Sequence, residues 1–118
     1  MTPKNFVIQI RKAIVEENVA IYRDLFESTE VDSASDPYWV RALSLYATLG
    51  AEQREALFEI MRQVIVDTIS NVFAILDGVS ELEDQEEEFS LFAGNGTEQL
   101  NGELQDIFLE LEEDESHV

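Results

Sequence analysis

The sequence predicts an all-α fold, a compact four-helix bundle-like domain around a central helix over about residues 51–77, and three observations carry that expectation. Apolar residues recur three or four apart in several long segments, the spacing of a helix face. Those segments open or close on residues suited to helix ends: Thr2-Pro3, Asp36-Pro37, Gly50 and Asp77-Gly78. The stretch 57–79, LFEIMRQVIVDTISNVFAILDGV, turns from a two-faced helix into an almost wholly apolar one as it runs. A helix that is apolar on most sides is expected to be enclosed by other elements. At 118 residues the chain is expected to form one acidic domain over 1–118.

The first helix is expected to start near Pro3, with Thr2 as its cap, and to continue to about residue 27. Its stripe is Phe6, Ile10, Ala13 with Ile14, Ile21 and Leu25. Glu17 falls inside that stripe; its stem is expected to pack while its carboxylate reaches solvent or an arginine, a buried functional carboxylate being the sharper alternative. Residues 28–36, STEVDSASD, are small and polar without periodicity and predict a loop. A second helix then has Asp36 as N-cap and Pro37 in its first turn, carries Leu43, Leu45, Tyr46 and Leu49, and stops at Gly50. Tyr38 and Trp39 are candidate aromatic anchors of an interface hot spot. Their plainer role is to plug the end of a helical core.

In the helix that follows, Glu55, Glu59 and Gln63 form a wet face, and Leu57, Ile60, Met61 and Val64 a dry one. Past residue 63 the wet face continues as Val66, Ser70 and Ala74, small and apolar residues in place of charge, and Ser70 and Ala74 are expected to let a neighbour approach closely. Asp67 and Asn71 read as a buried polar pair, either a strut or a site, with Arg11, Arg41 and Arg62 as candidate partners, because a stranded buried carboxylate costs several kcal/mol. Asp77-Gly78 is expected to end or kink the helix, glycine being tolerant of the left-handed conformation of a C-terminal cap.

The run ELEDQEEE, 81–88, places six acids in eight residues. It predicts a solvated connector or a presented epitope, and it lacks the oxygen-ligand spacing of an EF-hand loop. Phe89 to Phe92 is read as one strand of a short β-hairpin near 89–100, turning at Gly94-Asn95-Gly96, or as a staple holding the acidic loop to the core. A last helix is expected after Asn101 as cap, ending near Glu112, with Leu104, Ile107, Phe108 and Leu111 inward and Glu103, Asp106, Glu110 and Glu113 outward. The tail 113–118, with the sole histidine, His117, is expected to fray.

Charge distribution narrows the function. Net charge is −19; residues 1–62 hold ten acids and all seven bases, giving −3, whereas sixteen acids and no base follow, giving −16. Such a half-molecule repels nucleic-acid phosphates and anionic membranes and attracts basic surfaces. The expected partner is a basic protein, with no direct nucleic acid and no membrane. No cysteine is present, which excludes disulfides, thiolate metal sites and cysteine nucleophiles. The E-x-x-H spacing of carboxylate-bridged metal bundles and a phosphate-binding loop are both missing, since GNG at 94–96 lacks the following lysine. No catalytic residue, metal or cofactor is therefore expected. The amino-terminal stretch lacks an uninterrupted apolar core, and the longest apolar run, 64–76, is broken by Asp67, Thr68, Ser70 and Asn71, so a soluble cytoplasmic protein is expected.

In size and charge the chain is similar to bacterial immunity proteins that block nuclease toxins; the likeness is not carried by a family motif. It implies a non-enzymatic acidic binding protein of immunity or inhibitor type, neutralising a basic toxin or nucleic-acid-binding protein through its C-terminal half. The partner-binding residues would be Glu81, Glu83, Asp84, Glu86, Glu87 and Glu88, with Glu103, Asp106, Glu110 and Glu113. The alternatives are a self-associating structural or regulatory module, acting as a homodimer with its acidity serving solubility, and a nucleic-acid mimic. An enzyme using Asp67 and Glu17 is the least favoured reading.

Overall fold

The computed structural model describes residues 1–116. His117 and the end of the stretch expected to fray lie outside the described residues. The fold is all-α, as expected, with four helical rods and no strand among the described residues.

The first rod runs from 3 to 28. It consists of α1 (Pro3–Ile10), a π-helical segment (Arg11–Glu16) and α2 (Glu17–Ser28) without a break. Thr2 Oγ1 accepts from Asn5 N at 3.1 Å and Pro3 occupies the first turn, so the capping signal acts as expected. The wider π turns alter the helix rotation. The buried line is therefore Val7, Arg11, Val15 and Phe26, while Ile21 and Leu25, expected to face inward, are exposed. Glu17 is exposed, which agrees with a carboxylate reaching solvent.

A loop with one 3₁₀ turn (Val31–Ser33) leads to α3 (Pro37–Thr48). Asp36 caps it, its Oδ1 accepting from Tyr38 N at 2.8 Å. Next comes α4 (Ala51–Leu76), whose start is tightened by Gly50 N donating to Gln53 Oε1 at 3.0 Å. It ends where Gly78 takes φ +79° and Val79 N and Ser80 N both donate back to Ala74 O. The last rod, α5 (Leu104–Ser116), continues beyond the end expected near Glu112, so residues 113–116 of the expected frayed tail are helical.

α4 is the central helix. It lies antiparallel to the first rod, since Arg23 meets Glu55 at one end and Phe6 meets Phe73 at the other. α5 runs back along α4, Phe108 meeting Phe73 near one end and Glu112 meeting Arg62 near the other. Two cores result. Val7, Val15, Val66, Phe73, Leu104 and Phe108 form one; Phe26, Leu43, Tyr46 and Phe58 form the second, under α3. They lie end to end in a molecule of 52 × 37 × 26 Å.

The expectation for Asp67 and Asn71 is overturned: both are exposed, and Asp67 accepts only a surface bond, from Gln63 Nε2 at 2.9 Å. The first rod and α5 cover two sides of α4 and leave a third in water. Ile60 and Val64, expected on the dry face, lie on that open side as well. Ser70 and Ala74 are buried, and Gln105 Nε2 of α5 donates to Ser70 Oγ at 3.1 Å, a close approach that the small side chain of Ser70 allows. No helix among the described residues is long and apolar enough to cross a membrane.

Candidate functional site

The acidic run sits on the connection between α4 and α5, and three polar side chains shape it. Asp77, one residue past the end of α4, accepts from Gly102 N at 2.6 Å and Gln105 N at 2.8 Å. It thus caps the start of α5 from another element and takes the role expected of Asn101. Asn101 is buried and acts as a clamp instead. Its Nδ2 donates to Leu76 O and to Phe89 O, and its Oδ1 accepts from Leu91 N at 2.8 Å. Leu100 N donates to Leu91 O at 2.8 Å, and that single backbone bond is what forms of the hairpin considered for 89–100. Gly94, at φ +54°, and the bond from Gly96 N to Ala93 O turn the chain there without a ladder.

Gln85 folds the acidic run on itself. Its Oε1 accepts from Leu82 N at 3.0 Å, its Nε2 donates to Glu87 O at 2.8 Å, and its own N–H bonds to Leu82 O. The six acids, Glu81, Glu83, Asp84, Glu86, Glu87 and Glu88, all point into solvent, and none forms an ion pair with a lysine or arginine among the described residues. Interleaved with them, Val79, Leu82, Phe89 and Phe92 are also exposed. Leu82 and Phe89 border an open hollow of about 560 Å³ whose other walls are Glu83, Asp84, Gln85, Glu86 and Glu87. The result is a surface with negative charge and apolar side chains within one loop.

Glu103 and Asp106 adjoin this loop at the start of α5, where negative charge suits the helix dipole. Glu110 and Glu113 lie one and two turns further along the exposed side. Their neighbour Glu112 faces inward to a cluster with Arg11, Arg62 and Glu16, which the half-exposed Glu115 joins from its edge. Arg62 holds Glu112 with both terminal nitrogens, at 2.9 and 3.1 Å. Arg11 Nε donates to the same carboxylate at 2.7 Å, and Arg11 also pairs with Glu115 and, at 3.2 Å, with Glu16. Burial pushes the Glu112 carboxyl upward, but the hydrogen bonds and charges of Arg62 and Arg11 outweigh it and hold it below the usual glutamate range. These two arginines were candidates for pairing with Asp67. Their commitment to α5 removes them from that role.

The aromatic pair divides. Trp39 is half-buried among Phe26, Tyr22 and Tyr38, with ring centroids at 5.8, 6.2 and 5.3 Å, and so plugs the end of the second core. Tyr38 is exposed and borders an apolar groove with Tyr22, Ile60 and Val64.

The framework residues Asp77, Gln85 and Asn101 were missed as loop anchors because their bonds cross between segments. The sequence shows Asn101 only as a polar residue between Leu100 and Gly102, a pattern that fits a helix cap as well as a clamp; in the fold Leu100 is buried and Gly102 takes φ +133°. Among the described residues no three acidic or histidine side chains converge to hold a metal ion. Compared with family models, curated proteins and solved structures, the chain matches none, so the geometry of the connection between α4 and α5 carries the functional reading.

Proposed function

We propose that the chain is a non-enzymatic binding protein that neutralises a basic protein, of the kind exemplified by a nuclease toxin, through the acidic loop 81–88 and the outward acids of α5. One observation carries the reading: six exposed acids, none paired with an arginine or lysine among the described residues, share a loop with exposed Val79, Leu82, Phe89 and Phe92. The charges raise the encounter rate with a cationic surface, and the apolar side chains supply residence time once water is displaced. Gln85 and Asn101 hold much of this loop in shape before contact, which lowers the ordering cost of binding. A cytoplasmic setting suits a fold without disulfides.

The test is stopped-flow association with the cationic protein captured on the immobilised chain. The association rate should fall steeply between about 0.05 M and about 0.5 M NaCl. Replacing the six loop acids by Gln or Asn should slow association about tenfold or more with helicity unchanged. A rate indifferent to salt and to those substitutions rejects the proposal.

A further inference from the structure

Between the two cores the fold is only two helices wide on one side. There α2 and the middle of α4 lie together, with Tyr38 of α3 at the edge. The groove they form, about 320 Å³, is lined by Tyr22, Tyr38, Ile60, Met61 and Val64 and floored by Val19 and Ile65. Apart from Asn18 its borders are apolar: Ile60 is 61% exposed, Val64 59% and Tyr38 54%, with Tyr22 also exposed; beside the groove on α2, Ile21 is 53% exposed and Leu25 is exposed as well. On α2, Ile21, Tyr22 and Leu25 follow Asn18 at the i+3, i+4 and i+7 spacing of one helix face.

We propose that two copies of this chain associate through this face, α2 and α4 of one copy packing on α2 and α4 of the other. Two arguments favour a second copy. Six exposed apolar side chains along two neighbouring helices make a patch of the order of the largest on a typical monomer, about 300–600 Å², and two such patches face to face approach the ~1,200 Å² lower end of a stable interface. The segments that build the face are also nearly balanced in charge. Lys12 and Arg23 stand with Glu16, Glu17, Asp24 and Glu27 on the first rod, Asp36 with Arg41 around α3, and Glu59 and Asp67 with Arg62 on α4. On a chain with net charge −19 this face opposes self-association less than the acidic loop does, whereas a cationic partner is drawn to that loop. A two-helix layer paired with its own copy gives a four-helix cross-section with a closed apolar centre. The acidic loops stay outside it.

Sedimentation velocity on the full chain from about 1 to about 100 µM tests this by mass action. The expected species has twice the 13.4 kDa chain mass, and its share should rise with concentration and not fall on going from about 0.05 M to about 0.5 M NaCl, which screens the like charges. Ile60→Glu with Val64→Glu should weaken dimerisation about tenfold or more, with helicity unchanged, because carboxylates would be desolvated at the interface. Should that variant lose helicity, Ile21→Lys on the facing helix is the substitute. Leu82→Glu, on the acidic loop, should leave the dimer intact. A 13.4 kDa species at every concentration and at both salt levels, or a dimer that resists the groove substitutions while Leu82→Glu breaks it, overturns the proposal.

Discussion

Arg11 Nε donates to Glu112 Oε1 at 2.7 Å, joining the π-helical turn of the first rod to the last helix across 101 residues of chain. Arg11 is almost fully buried, and Glu112 also accepts both terminal nitrogens of Arg62. Removing the charge of Glu112 leaves two guanidinium groups short of their shared acceptor, one of them in the interior. Glu112→Gln is expected to lower the unfolding free energy by about 2–3 kcal/mol, toward the range for breaking a buried pair. Glu115 is half exposed, so Glu115→Gln should cost about 1 kcal/mol or less. Urea unfolding followed by circular dichroism measures both. Equal losses would show that burial does not set the strength of this cluster.

The same carboxylate gives a pH dependence with a fixed sign. Burial opposes ionisation of Glu112, but Arg62 and Arg11 outweigh it, and the folded protein holds this proton less tightly than the unfolded chain does. Stability from Glu112 is therefore fully present above the ordinary glutamate range, about 4.3, and is lost as pH falls through the lower folded value. The stability difference between the parent chain and Glu112→Gln should stay constant from about pH 7 to about pH 5.5 and shrink below about pH 4. Taking the difference cancels the many other carboxylates. A gap as large at about pH 2.5 as at about pH 7 would show that the substitution acts through packing and not through charge.

Local features were legible and cross-chain ones were not. Thr2-Pro3 and Asp36-Pro37 announce helix starts because a cap acts on an N–H two or three residues away, inside the window a sequence displays. The central position of α4 followed from its length and apolar content. Which sides of α4 are covered did not, since Ile60, Val64 and Asp67 face water only because the rods available cover two sides and not three. Ile21 and Leu25 were misplaced because the π segment at Arg11–Glu16 changes the rotation of a stripe that otherwise looks regular. The acidic run was visible as composition. Its framework was not, because Asp77, Asn101 and Gly102 come together only after α4 and α5 have packed.

Asn101 tests that framework directly. Asn101→Ala removes both donors to Leu76 O and Phe89 O and the acceptor for Leu91 N, leaving buried polar groups without partners at about 1–3 kcal/mol for an unsatisfied group. A total loss of about 2–3 kcal/mol is expected. Amide exchange should accelerate most at Leu91 and Leu100, whose N–H groups lie at the clamp. Uniform acceleration over the whole chain would mean that the connection unfolds only with the entire domain and that Asn101 is not a local clamp.

Asp67→Leu distinguishes the exposed surface of α4 from the buried strut that its apolar surroundings suggest. The carboxylate accepts one bond, from Gln63 one turn earlier, and is otherwise in water. Losing a bond of that kind on a helix surface costs about 0.2–0.5 kcal/mol, and leucine's better helix propensity offsets part of it. The unfolding free energy should therefore change by no more than about 0.5 kcal/mol. A buried, paired carboxylate would behave differently, because its removal strands an arginine and costs about 3–5 kcal/mol. A loss of that size in urea unfolding would place Asp67 in the interior, and the two-sided covering of α4 by the first rod and α5 would have to be abandoned.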